Sequence, residues 1–303
     1  MSGPEPEPDA AGFVSLPAPI DLLLTLAPLA HGRGDPTIRF SPDGIWRATR
    51  TPTGPATIRL RAVDGGVAVT AWGEGAAAAV DGAADLVGAN DDPSALVPAH
   101  RLIGELVRRF PGLRLPRTNR PFEALLPAIC EQKVTGTQAR AAFRGIIAAH
   151  GEPAPGPGGL RLSPARATLA ALPYFAFHRF GLERRRADVI RRAAQLAPRV
   201  ELLPAAEAYA HMGALPGIGP WTLAEVGRIA YGDPDAVSIG DFHLPNLVAW
   251  ALARQPRADD ARMLELLEPY RGQRGRVQRL LEASGIEAPR YGPRLTPQRI
   301  AGI

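Results

Sequence analysis

The sequence predicts an α+β protein: a small N-terminal antiparallel-sheet domain packed on a mainly α-helical body. Three observations predict it. Short segments between Ile45 and Trp72 alternate apolar and polar residues with period two and are separated by turn residues. Beyond about Asp91 the apolar residues recur with helical spacing instead. The chain has 303 residues, 46% of them hydrophobic, which is enough for two ordinary domains with a sizeable core.

The elements follow in order. The acidic, Pro-rich head "MSGPEPEPDAAGF" predicts a disordered tail over 1–16 rather than a signal peptide. Ile20–Leu29 has the apolar density of a short helix. Ile45–Arg50, Ala56–Val63 and Val67–Trp72 read as strands, broken by "TPTGP" and "DGG". An alanine-rich helix ends near Gly88, which closes an α+β unit spanning 17–95. The helical body then covers 96–285. Phe122–Gln132 is one helix, and Thr135 with Gln138 has the spacing of a capping box that opens the next, so the chain breaks at Gln132-Lys133-Val134. Ala154–Gly159 ("APGPGG") reads as a surface loop. Ser163 and Pro164 are placed to start a further helix as N-cap and first residue. Helical runs continue through "LERRRADVIRRAAQLA", "PAAEAYAHMGA", "TLAEVGRIAY", "LPNLVAWALAR" and "ARMLELLEPYRGQRGRVQRLLEASG", and 286–303 reads as a loose tail.

Composition excludes several classes. The single cysteine, Cys130, rules out a disulfide framework, a Cys-rich zinc site and a four-cysteine iron–sulfur cluster. The six histidines are scattered without metal-ligand spacing, so no metal site is expected from side chains. No apolar run approaches the roughly 20 residues of a membrane span, and an intracellular protein is expected. The formal net charge is +5, almost all of it from arginine, since Lys133 is the only lysine. "ERRRADVIRR" (183–192) and "YRGQRGRVQR" (270–279) offer local positive surfaces suited to a polyanion, or solvated helix faces.

The stretch "LPGIGPWT", Leu215–Thr222, lies between two helical runs. Gly217 and Gly219 permit positive φ and leave no Cβ to block close approach. Backbone N–H groups then converge beside the positive end of the following helix, an arrangement suited to a phosphate. Ile218 between them can turn inward and lock the turn into the core. Such a device reads backbone and not bases. Further on, "SIGDFHLP" places Asp241 just before a new helix, 22 residues after Gly219. Taken alone, Asp241 reads as an N-cap.

The turn resembles the helix-hairpin-helix motif, here spanning about 203–230. Hairpin, Gly/Pro-rich joint and aspartate in this order resemble the helix-hairpin-helix base-excision DNA glycosylases. "FEALLPAICEQKVTGTQA", "FGLERRRADVI", "LPGIGPWT" and "GDFHLP" fall in the order seen in DNA-3-methyladenine glycosylase II. The resemblance implies an enzyme that flips an alkylated base out of damaged double-stranded DNA and hydrolyses its N-glycosidic bond. It implies a monomer, cytoplasmic and nucleoid-associated, of prokaryotic type. Asp241 then takes the catalytic role. Gly217, Ile218, Gly219 and Thr222 of the hairpin, Gln132 and Lys133 of the helix break, and His243 become DNA-binding candidates. Trp221, Glu225 and Tyr174 become base-pocket candidates. Bifunctional members carry a lysine where this chain has Trp221, so no Schiff base can form there and no strand cleavage is expected. The family's apolar wedge aligns with Lys133, and its pocket tyrosine with Glu225; both are departures, and Glu225 either attracts a cationic base or pairs with an arginine such as Arg228. No cofactor is implied, although related hairpins allow a monovalent cation on their backbone carbonyls.

Two other readings stay open. One is a non-catalytic helix-hairpin-helix module that senses DNA damage; Asp241 counts against it, because a carboxylate against the DNA backbone repels phosphate. The other is a glycosylase for another lesion, such as hypoxanthine or uracil.

Overall fold

The computed structural model describes residues 5–16 and 20–289. The N-terminal part is a five-stranded antiparallel sheet of order β1-β5-β4-β3-β2. Its strands are β1 (Ala10–Ser15), β2 (Ile38–Ser41), β3 (Gly44–Thr51), β4 (Gly54–Val63) and β5 (Gly66–Trp72). The alternation puts Ile58, Leu60, Val67, Val69 and Ala71 into one core. Helices α1 (Leu22–Leu26), α2 (Ala76–Asp81) and α3 (Ala83–Leu86) contribute Leu22, Leu26, Ala76, Ala79 and Leu86 to it. Asp64-Gly65 closes the β4–β5 hairpin with Gly65 at φ +78°, a conformation that glycine takes without steric cost.

One sequence expectation fails here, and one strand was not anticipated. Ala10–Ser15 is not tail but an edge strand, paired in register with Gly66–Ala71. The segment before it is tied down as well: Glu5 pairs with Arg59, and the Trp72 indole donates to the Pro6 carbonyl. Pairing here covers a β5 edge that would otherwise stay open. Ile38–Ser41 adds a short strand at the other edge. Ala154–Gly159 is the expected surface loop, with Gly156, Pro157 and Gly159 exposed, and it lies over the second face of the sheet. There Trp46 and Trp72 stack at 5.4 Å with Leu160 and Leu162. A Cβ on Gly156 would lie 2.6 Å from Trp72, so only glycine lets the loop lie so close.

The body follows: α4 (Arg101–Arg109), α5 (Pro121–Glu131), α6 (Gly136–His150), α7 (Arg166–Ala171), α8 (Arg184–Val200), α9 (Ala205–Gly213), α10 (Pro220–Val226), α11 (Leu244–Ala253), α12 (Asp260–Leu267) and α13 (Arg274–Ser284). They form two lobes. In the first, α5 is buried almost all round, and Phe122, Leu125, Leu126 and Ile129 meet Ile146, Val189, Ile190 and Met212. In the second, Ile103 and Leu106 of α4 meet Val248, Met263, Leu267, Val277 and Leu281. Among the described residues no helix is long and apolar enough to cross a membrane.

Smaller departures also have local causes. Helix α7 starts at Arg166 with Ala165 as N-cap, not at Ser163, whose carbonyl accepts from Arg50. The C-terminal run splits into α12, a 3-10 turn over Glu268–Tyr270 and α13; Pro269 supplies no N–H and Gly272 takes φ +87°. The basic run 270–279 is not a polyanion surface. Arg271 pairs with Glu268, Arg274 with Asp235 and Arg276 with Asp91, and Arg279 donates to the Leu24 carbonyl. In the tail expected over 286–303, residues 290–303 lie outside the described residues.

Candidate active site

The hairpin joins α9 to α10 through Ala214–Gly219. Leu215 N–H donates to Met212 and Ile218 N–H to Leu215, which closes the turn. Its two glycines do different things. Gly217 takes φ +101°, and a Cβ there would lie 2.3 Å from Val189 Cγ2, so it is needed for both conformation and packing. Gly219 is extended (φ −109°), contrary to the expectation of positive φ, and a Cβ there would meet nothing within 4 Å. Its surroundings are open on the outside. Ile218 is buried and anchors the turn to the first lobe.

Gln132 is the hairpin's partner. Its amide Nε2 donates to the Gly217 carbonyl and to Thr222 Oγ1, each at 2.9 Å. Thr222, expected at the DNA surface, is only 2% exposed and is held inside by this bond. The next residue, Lys133, is exposed with φ +55°, a left-handed conformation uncommon outside glycine. The break between α5 and α6 therefore presents Lys133 outward while Gln132 ties the break to the hairpin. The Pro216 carbonyl accepts from Arg192 at 3.0 Å. The turn carbonyls of Leu215, Pro216 and Gly217 thus all have protein donors. Among the described residues no group of His, Cys, Asp and Glu has the arrangement of a metal site.

Asp241 sits on the turn between the lobes. Gly240 at φ +92° turns the chain there, and Asp241 N–H donates to the Ser238 carbonyl. The two carboxylate oxygens have separate partners. Oδ1 accepts from the backbone N–H groups of His243 (2.7 Å) and Leu244 (2.8 Å), capping α11. Oδ2 accepts from the Trp221 indole N–H at 3.3 Å. Trp221 follows the hairpin on the first lobe, and Leu244 and Val248 of α11 belong to the second. His243 is exposed, its ring 4.9 Å from that of Phe242, and Phe242 is 74% exposed. Sequence reasoning passed over Phe242; an aromatic set between the aspartate and the histidine was the available signal.

Glu225, one helical turn beyond Trp221, is committed to the protein. It accepts from Arg228 and from the Ser238 hydroxyl. Arg228 also pairs with Glu282, and Gln278 donates to both Ser238 and Glu282. Burial pushes the Glu225 carboxyl above the ordinary glutamate value, opposed by Arg228. Burial works against the charge on Arg228, but Glu282 and Glu225 outweigh it and hold the guanidinium above the usual arginine range. This network fixes the Ser238–Asp241 turn to α13. Of its two expected roles, Glu225 takes the pairing with Arg228. It also lines a cavity of about 150 Å³ at the junction with the sheet, with His31, Arg47, Glu123 and Glu131, and neither Trp221 nor Asp241 lines that space. Tyr174 belongs elsewhere: its ring neighbours are Phe175, His178 and the Arg184 guanidinium 4.7 Å away. Gln278 and Glu282 carried no sequence signal, because their contacts with Ser238 and Arg228 span 40 and 54 residues.

No protein-family model matches the chain. Relatives from Mycobacterium tuberculosis, described as probable bifunctional transcriptional activator/DNA repair enzymes, are 30% identical over 162 residues, 50% of this chain. The match spans about a third (32%) of the length of those relatives. Solved structures match more of the chain. A 3-methyladenine DNA glycosylase from Archaeoglobus fulgidus superposes with TM-score 0.73 at 17% identity, over 89% of this chain and 96% of that one. An 8-oxoguanine glycosylase/lyase from Clostridium acetobutylicum, in complex with double-stranded DNA, gives 0.68 at 13% identity, over 92% and 100%. A 3-methyladenine DNA glycosylase from Schizosaccharomyces pombe, in complex with abasic DNA, gives 0.53 at 18%, over 65% and 98%. The chain shares its fold with these solved DNA glycosylase structures.

Proposed function

We propose that the chain is a monofunctional DNA glycosylase that removes alkylated, 3-methyladenine-type bases from duplex DNA. The observation that carries this reading is Asp241, with one oxygen held by the α11 N-terminus and the other directed to Trp221 between the lobes. Capping α11 uses only Oδ1, and in a binding-only protein the carboxylate charge would repel the DNA backbone. The open Gly219 backbone and Lys133 support seating of the DNA backbone across the hairpin and the helix break.

The chemistry follows from charge. A flipped alkylated purine carries positive charge and leaves readily. The C1′–N bond breaks with its electron pair going to the base, and the sugar passes through an oxocarbenium-like state. The Asp241 carboxylate stabilises that cation and accepts a proton from the water whose oxygen bonds to C1′. The products are the free base and an abasic site in an intact strand. Trp221 stands in the place of a nucleophilic lysine and supplies no amine.

The Glu225 network supports a base range different from that of relatives with an aromatic residue there. Duplexes carrying 3-methyladenine, 7-methylguanine, hypoxanthine, uracil and 8-oxoguanine should therefore be compared, with released bases read by mass spectrometry. Release of a methylated purine above all others is expected, and release of none of the five would refute the enzyme. Borohydride should trap no covalent adduct; an adduct refutes the monofunctional mechanism.

A further inference from the structure

The glycine-rich loop of the sheet domain, His31-Gly32-Arg33-Gly34, lies against the outer edge of α6. Gly32 takes φ +86°, and a Cβ there would fall 2.0 Å from Arg140 Cδ, so the aliphatic stem of Arg140 runs directly over the loop backbone. Four residues on, Arg144 donates to the Arg33 carbonyl at 2.8 Å. Four residues back, a Cβ on Gly136 would lie 3.0 Å from Arg140 Nη1, which puts that guanidinium beside the first turn of α6. Arg33, Lys133, Arg140 and Arg144 are all exposed. Successive steps of four residues advance about 6 Å along the helix.

This grouping concentrates like charge. Arg140 and Arg144 are i, i+4 neighbours of one sign, a pairing that weakens a helix, and Arg140 adds its charge near the positive end of α6. The acids of the loop and of the end of α5 are already engaged. Asp35 accepts from His31 N–H, Thr37 N–H and the Thr37 hydroxyl, and Glu131 faces His31 at 3.6 Å. The complementary occupant is therefore a polyanion arriving from outside. Lys133 adjoins Gln132, which is bonded to the hairpin, so the basic edge is continuous with the candidate active site.

We infer that the Arg33 loop and the α6 edge form a second contact with the phosphodiester backbone of double-stranded DNA, so that the sheet domain takes part in binding. The inference rests on the proposed DNA-binding reading. Each phosphate neutralised by an arginine steepens the fall of affinity with salt by about 0.9 in log–log slope.

The test uses the full chain with Arg33→Ala, Arg140→Gln and the double variant. Glutamine keeps a stem over Gly32 and removes the charge. Binding to an undamaged and a lesion-bearing duplex of equal length is measured by fluorescence anisotropy from 50 to 200 mM salt. Both duplexes should lose affinity alike. The slope should shrink by about 0.9 per variant, so the double variant loses roughly 12-fold less affinity across that range than the wild type. Arg101→Ala, outside this surface and paired with Glu105, is the control. A double variant with the same slope as Arg101→Ala refutes the inference, as does a loss confined to the lesion duplex. A wild type that binds with the expected slope but releases no base refutes the glycosylase alone. A wild type that does not bind duplex refutes both.

Discussion

The indole N–H of Trp221 and Oδ2 of Asp241 stand 3.3 Å apart, each on a different lobe of the helical body. The other oxygen of the same carboxylate caps α11 through two backbone N–H groups. The cap and the indole contact thus use different atoms of the aspartate. They can be separated by substitution.

Asparagine keeps a carbonyl oxygen for the cap but removes the charge. Asp241→Asn should abolish base release, by at least 100-fold, with melting temperature and duplex affinity retained. Asp241→Ala should lose release equally and cost about 1 kcal/mol of stability in addition, because the cap is gone. Release and thermal melting measured on both variants check this. Wild-type release by Asp241→Asn would remove Asp241 from the chemistry.

The hairpin glycines should separate in the same way. Gly217→Ala forces a side chain into left-handed backbone and against Val189, and should destabilise the protein by about 2 kcal/mol or more. Gly219→Ala meets open space at ordinary φ, so the fold should stay intact while DNA affinity falls. Urea melts and duplex titrations read the two effects. Unchanged DNA binding in Gly219→Ala would place the phosphate elsewhere.

Gln132 supplies both hydrogen bonds that tie the helix break to the hairpin. Gln132→Leu strands the Thr222 hydroxyl and the Gly217 carbonyl, a loss of about 1–3 kcal/mol. Slowed base release should accompany it, since Lys133 is no longer held. Gln132→Glu, with acceptors only, should be no better. Melting and single-turnover kinetics of the two variants give the answer.

The Cys130 thiol is buried, and burial pushes its pKa up to about 12. At pH 8 about one thiol in ten thousand is ionised. Native protein should resist iodoacetamide for hours, while denatured protein takes up one equivalent. Mass spectrometry distinguishes the two, and rapid native labelling would show the first lobe opening at α5.

The sequence made visible those features that depend on near neighbours. The β3–β5 strands announced themselves by alternation, and the Thr135–Gln138 capping box is present with both of its bonds. The hairpin was legible from glycine spacing, yet Gly217 alone takes positive φ; Gly219 shares the pattern but not the conformation. Asp241 was visible as a residue, but what holds it was not. Gln278 reaches Ser238 across 40 residues and Glu282 reaches Arg228 across 54, only after the body has closed, and polar contacts at that range leave no periodic trace. Thr222 was misplaced for a related reason: its burial follows from Gln132, 90 residues earlier. β1 was hidden because its partner strand lies more than fifty residues away behind a Pro-rich head.

The arginines of α13 have a consequence for how the chain is made. Arg276 closes on Asp91 across 185 residues and Arg279 on Leu24 across 255. The sheet strands leave the ribosome before the helical body, and domains generally fold in the order of synthesis. The underside of the sheet, however, waits for α13, the last described helix to emerge. Until then Asp91 lacks its arginine, and a nascent chain paused before residue 274 carries a finished sheet without a finished seat. The N-terminal part is therefore locked to the helical body only once α13 has formed.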